Sequence, residues 1–181
     1  MERAEVAKLS SQRIRSILER GDQAPTAHAR GRALEDLIVH IMAKIPGVRL
    51  EDRDFIAAGG SEELDVVFWN DRLPSALHFL PNVLLFECKN WNHPVDSAAV
   101  SFFLEKLRAR HLEYGFLIAA NGITGDENEL TAAHNHVNRF FTRDRCGLLI
   151  FDRQEIQALQ NTTQLIRLIQ HKIALLVMKA R

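Results

Sequence analysis

An α/β layer protein built on a mixed sheet is the fold class that this sequence predicts, and three observations predict it. Two short runs, "VLLFECK" (83–89) and "GFLIAA" (115–120), are apolar on both faces, as expected of central strands covered by helices on each side. A third run, "ELDVVFW" (63–69), alternates, with Leu64, Val66 and Phe68 on one face and Asp65, Val67 and Trp69 on the other. Around these strands lie segments whose apolar residues recur at helical spacing, the pattern of helices that must bury one stripe against a sheet.

Taken along the chain, "RAEVAKLSSQRIRSILERG" spaces Val6, Leu9, Ile14, Ile17 and Leu18 as an amphipathic helix, stopped by Gly21. "DQAPTAHARG" then reads as a linker with Pro25 and Gly31 as breakers. "RALEDLIVHIMAKIPG" repeats apolar residues at 34, 37, 38, 41 and 45 and closes at Pro46 and Gly47. On that helix Glu35 shares a face with Ile38, Val39 and Met42 and leans inward, while Asp36 falls toward His40 and Ala43. Gly59 and Gly60 precede the alternating strand as a turn, and a connection marked by Pro74 and Pro81 leads to "VLLFECK". Val100, Phe103, Leu104 and Leu107 define the next helix, and a further one is expected over "ENELTAAHNHVNRFF" before the strand "GLLIFD". The tail "TTQLIRLIQHKIALLVMKAR" is a last helix. The expected order is helix, strand, strand, helix, strand, helix, strand, with helices added at both ends. It divides into an N-terminal helix and linker (1–28), a central domain (29–160) and a C-terminal helix (161–181) that packs on the domain or on a partner.

A chain of 181 residues can bury one sizeable core, and 46% apolar with 25% charged residues is ordinary globular composition. No run of about 18 apolar residues is present and the opening "MERAEVAKLS" has no apolar secretory core, so no membrane association and a cytoplasmic location are expected. Cys88 and Cys146 each adjoin apolar runs, and two cysteines give neither a disulfide framework nor a zinc knuckle, so both are expected as reduced core thiols. The 23 basic and 23 acidic residues cancel, which argues against a freestanding high-affinity nucleic-acid binder. The distribution is uneven: residues 1–32 are +3, residues 33–152 are −7, and residues 153–181 are +4. A polyanion would therefore need the flanks, a partner, or metal ions to neutralise the acidic centre.

The stretch "VLLFECKNWNHP" ends a buried-type strand with Glu87 and Lys89 on one face, and ionised groups are costly to bury without partners. With Asp65 near the corresponding end of a neighbouring strand about 4.8 Å away, two carboxylates can share one hard cation such as Mg²⁺ or Mn²⁺. Lys89 then points into that site, where an ammonium can orient a water and stabilise charge on a phosphoryl oxygen. Glu35 on the first helix, "GGSEELDVVF" with Asp65, and "FECKNW" with Glu87 and Lys89 together resemble the PD-(D/E)XK restriction-endonuclease-like superfamily. Within it the layout is similar to Mrr-type restriction endonuclease domains, and "YGFLIAANGITGDENELTAAH" resembles their strand, turn and helix. The likeness covers roughly residues 29–155; Leu64-Asp65 stands where the motif has Pro-Asp, and Glu87 where Mrr-type domains often carry glutamine.

The resemblance implies a three-layer restriction-endonuclease-like fold and a metal-dependent nuclease acting on DNA, of a kind that defends against foreign DNA. In it Asp65, Glu87 and the backbone carbonyl of Cys88 bind Mg²⁺, Mn²⁺ substitutes, Lys89 serves the attacking water, and Glu35 assists the metal or its waters. Many such enzymes work as homodimers or on a larger partner. Other interpretations stay open at this stage. Glu87 and Lys89 can be a solvated strand end, the same fold can serve as an inactive module that binds nucleic acid or a protein, and a repair nuclease or junction resolvase would use the same residues. Trp91 either stacks on a base or caps the core. Lys106, Arg108, Arg110 and His111 form a basic helix end that either holds phosphates or is simply solvated. "HNH" at His134 to His136 is no metal motif, because positions two apart on a helix face different ways.

Overall fold

The structure, a computed structural model, describes residues 6–56, 63–128 and 131–180. Its elements are α1 (Ser11–Asp22), α2 (Ala27–Met42), β1 (Val48–Ile56), β2 (Glu63–Asn70), β3 (Val83–Lys89), α3 (Ser97–Ala109), β4 (Tyr114–Ala119), α4 (Ala132–Asp144), β5 (Gly147–Phe151), α5 (Arg153–Ala158) and α6 (Thr162–Lys179). The sheet runs in the order β1-β2-β3-β4-β5. Its first three strands are antiparallel neighbours, whereas β3, β4 and β5 are parallel. This is the mixed sheet flanked by helices that the sequence predicts.

The two faces of the central strands bury different layers. Leu84, Phe86 and Cys88 of β3 join Phe116 and Ile118 of β4 in a cluster filled by Ile14 and Ile17 of α1, Leu34, Leu37 and Ile41 of α2, and Leu165 and Ile169 of α6. Phe86 ties three strands together, edge-on to Phe68 at 5.4 Å and stacked on Phe116 at 4.4 Å. On the opposite face Leu85 and Leu117 pack against Phe103, Leu104 and Leu107 of α3 and Val137 and Phe140 of α4. Helix α3 approaches closely because β4 carries Gly115 beneath it: a Cβ there would lie 2.3 Å from Leu107 Cδ1. Since Leu107 is fully buried, Gly115→Ala is expected to cost about 1–3 kcal/mol, read as a lowered denaturant midpoint with an unchanged slope.

Several elements differ from the sequence expectation. The first helix is no appendage, since Ile14 is completely buried in the main cluster. The linker is shorter than its breakers imply: Thr26 caps α2 by accepting a hydrogen bond from the Ala29 N–H at 3.1 Å, which starts the helix ahead of Gly31. Strand β1 was not expected at all. Its "VRLEDRDFI" is largely polar because it pairs on one side only, and its register shifts between Leu50 and Asp52. Helix α4 starts at Ala132 rather than Glu127, because Asp126 and Asn128 form a side-chain turn, with the Asn128 N–H donating to Asp126 Oδ1 at 2.8 Å. Short α5 was also unforeseen, and a capping box between Asp152 and Glu155 makes it. The C-terminal helix packs on the domain through Leu165 and Ile169, leaving Val177 and Met178 exposed. The expected turn at Gly59 and Gly60 lies outside the described residues. Among the described residues no helix is long and apolar enough to cross a membrane. Cys88 and Cys146 are both free and buried, and burial raises the Cys88 thiol well above its ordinary pKa.

Candidate active site

Strands β2 and β3 part company where the sequence places its charges. Their ladder ends at the Val66 and Phe86 pair. One step further, the Cys88 N–H donates to Asp65 Oδ2 at 2.7 Å, so a carboxylate fills the place of a ladder acceptor. The splay also breaks the expected alternation of β2: Val66 and Phe68 face the α1/α2/α6 layer, whereas Leu64 turns into the α3/α4 layer. Past that point β2 stays on the β1 ladder through Glu63 and β3 on the β4 ladder through Lys89, with Asp65 beside Glu87 between them.

Glu87 is buried, 4% exposed, and sits between two lysine ammoniums. Lys89 Nζ lies 2.7 Å from Oε1 and Lys106 Nζ lies 3.0 Å from Oε2. Lys89 is at the open end of this row with a quarter of its side chain exposed, while Lys106 is sealed in at 4%. Burial pulls the Lys89 ammonium down, but the charge and hydrogen bond of Glu87 outweigh burial, and the net displacement is upward. At neutral pH Lys89 is therefore a donor. Asp65 is displaced more strongly: burial first, and the adjoining Glu87 charge second, raise it to about 7.

That displacement has a stability consequence. In chelator, with no cation to compensate, the folded chain holds a proton on Asp65 that the unfolded chain releases above pH ~4, so stability falls as pH rises from about 4 to 7. Asp65→Asn keeps an acceptor for the Cys88 N–H and removes the charge. The variant is expected to be more stable than the parent at pH 8, on the order of 2–4 kcal/mol, and no more stable at pH 4. Thermal melts at the two pH values check this, and an equal gain at both would refute it.

The donor chemistry fits a divalent cation. Two adjoining carboxylates that repel each other offer the hard oxygens that Mg²⁺ or Mn²⁺ prefers. Glu35 is not part of this pair. It is carried by α2, in the layer opposite α3, and its Oε2 accepts from Arg32 Nη1 at 3.0 Å and Arg53 Nη2 at 2.9 Å. Arg32 also bonds Asp54, and Arg53 also bonds Asp36, so Glu35 belongs to an ion-pair network between α2 and β1. Among the described residues no three His, Cys, Asp or Glu side chains gather as a metal cluster.

Of the residues expected to meet phosphates, Lys106 is instead buried. It is bonded to Glu87 and, at 2.7 Å, to the Glu63 carbonyl, with Phe102 covering it at 5.0 Å, so it does not lie on a basic surface. Its place in the sequence contained the clue, because position 106 adjoins the stripe of Phe103 and Leu107 that faces the core. Arg108 is exposed and paired with Glu105, and Arg110 Nη1 donates to the Lys106 carbonyl at 2.9 Å near the end of α3. Trp91 is half-buried against the α3/α4 cluster, and its carbonyl accepts from Asn121 Nδ2. His134 and His136 diverge as expected, with His136 Nδ1 hydrogen-bonded to Ser101 Oγ at 2.8 Å. Nothing in the spacing along the chain marks Arg32, Arg53 or the second ammonium on Glu87 as site residues, and Arg53 lies on the polar edge strand β1.

A five-stranded mixed sheet with helices on both faces is the architecture of restriction-endonuclease-like α/β proteins. A protein-family model described as a restriction endonuclease matches residues 27–160, and the chain belongs to that PD-(D/E)XK-like family. Members of the family are nucleases and generally use divalent metals. No curated protein matches the chain.

Proposed function

We propose that the chain is a Mg²⁺-dependent endodeoxyribonuclease, with Asp65, Glu87 and the Cys88 carbonyl holding the ion and Lys89 acting on the attacking water. The observation that carries this is the buried Glu87 with Lys89 at 2.7 Å and Asp65 beside it, at the end of the strand pair where the ladder opens. A bound ion would supply Lewis-acid stabilisation of the charge that develops on a phosphodiester. Lys89, partly exposed and protonated, donates hydrogen bonds to a water or a phosphoryl oxygen at the mouth of the site. Asp65 is fixed by the Cys88 N–H. Glu35, clamped by Arg32 and Arg53, ties α2 to β1, and a role toward the metal or its waters would act from there. Mn²⁺ substitutes for Mg²⁺ because both take oxygen ligands. DNA is the substrate that the family supports, and the −7 centre of the chain favours work as a homodimer or with a larger partner that supplies basic surface. Residues 29–160 form the nuclease unit, with the terminal helices serving as buttresses.

Purified protein incubated with supercoiled, linear and single-stranded DNA and with RNA, in Mg²⁺, Mn²⁺ or chelator, tests the proposal. Cleavage of DNA that needs the metal is the expected result. Cleavage that persists in chelator would overturn the metal dependence, and DNA left intact with either metal by protein that binds it would replace the nuclease with a binding module.

A further inference from the structure

Lys106 is a buried cation that the cleavage site as described does not use. Its ammonium bonds Glu87 Oε2 at 3.0 Å and the Glu63 carbonyl at 2.7 Å, and lies 5.0 Å from the centre of the Phe102 ring. A carboxylate oxygen together with a backbone carbonyl is a set of hard oxygen ligands, the kind that would hold a metal ion. Nuclease sites with two ions place them about 3.5–4 Å apart, close enough for one carboxylate to face both. Glu87 is the only carboxylate bonded to two cations at the parted end of β2 and β3 among the described residues, and one of those two cations is Lys106.

Resting on the metal-nuclease proposal above, we propose that Lys106 is a built-in substitute for a second ion, so that the chain binds one divalent cation and not two. Glu87 offers Oε1 to the solvent-facing side, where Lys89 is, and keeps Oε2 for Lys106. A second dication would have to displace a side chain that is only 4% exposed or sit against its charge. Among the described residues no group of three potential ligands forms, and both arginine contacts of Glu35 hold it within its own network. Lys106 thus acts through Glu87 as a positioning residue, and it supplies fixed charge where an ion would otherwise come and go.

The test is the number of Mn²⁺ ions bound by the full chain, measured by titration with MnCl₂ using the loss of the free-ion paramagnetic resonance signal, and the spectrum of the bound ions. The parent is expected to bind one Mn²⁺ with no dipolar coupling, and Lys106→Ala two, with the broadening of a coupled pair. Lys106→Gln, which keeps donors for Glu87 and the Glu63 carbonyl, serves if the alanine variant does not fold, and is expected to rise from one ion to two likewise. Two coupled ions in the parent, or one ion in both parent and folded variant, would overturn the role of Lys106 and leave the metal-nuclease proposal standing. No Mn²⁺ bound by the parent would overturn both.

Discussion

Replacing Lys89 with alanine is expected to lower metal-dependent DNA cleavage by about 10²–10³-fold, the cost of losing one preorganised donor where charge develops. The fold should survive the change. Lys89 is the last residue of β3, a quarter of its side chain is exposed, and Glu87 retains Lys106 as a partner when Lys89 is gone. Mn²⁺ binding should persist for the same reason, because Asp65 and Glu87 stay in place. Single-turnover cleavage beside a Mn²⁺ titration and a thermal melt separates these effects. Undiminished cleavage by the variant would remove Lys89 from the chemistry, and lost metal binding would make it a ligand organiser.

Glu87→Ala is expected to be the most destabilising single change at the site, costing about 3–5 kcal/mol, with cleavage lost as well. The reason is the company it leaves behind. Lys106 is 4% exposed and would keep only the Glu63 carbonyl as a bonded partner, with the Phe102 ring over it and the Asp65 charge nearby, so a buried ammonium would lose its bonded counter-charge. Removing both charges should undo much of the damage: Glu87→Leu combined with Lys106→Met is expected to be closer to the parent in stability than Glu87→Ala is. Denaturant unfolding of the three proteins in chelator measures this. A loss under about 1 kcal/mol for Glu87→Ala would mean that Lys106 escapes to water.

Much of the fold was legible because burial leaves a periodic signature. Strands β3 and β4 face a helical layer on each side, so their runs are apolar throughout, and the parallel pairing of these two follows from the helix between them. Strand β1 left no such signature. It pairs only with β2 and turns most of its side chains to water, so its charged residues resembled a loop. With β1 went Arg53, and with Arg53 one arm of the clamp on Glu35.

The candidate site divides in the same manner. Period-2 geometry places Glu87 and Lys89 on one face of one strand, and their order after Asp65 is written in the chain. Where a helical lysine ends is not. Lys106 lies 19 residues from Glu87 in sequence, and its reach into the site depends on α3 settling onto Gly115. The sequence by itself determined the class of fold, the central strands and the trio of Asp65, Glu87 and Lys89, because local periodicity and short spacing encode them. Only the tertiary structure decided that β2 and β3 part at Asp65, that Glu35 is held by two arginines, and that Glu87 has two ammonium partners. Those features arise from contacts between separate elements, where the need to compensate each buried charge selects the partner and no spacing along the chain records it.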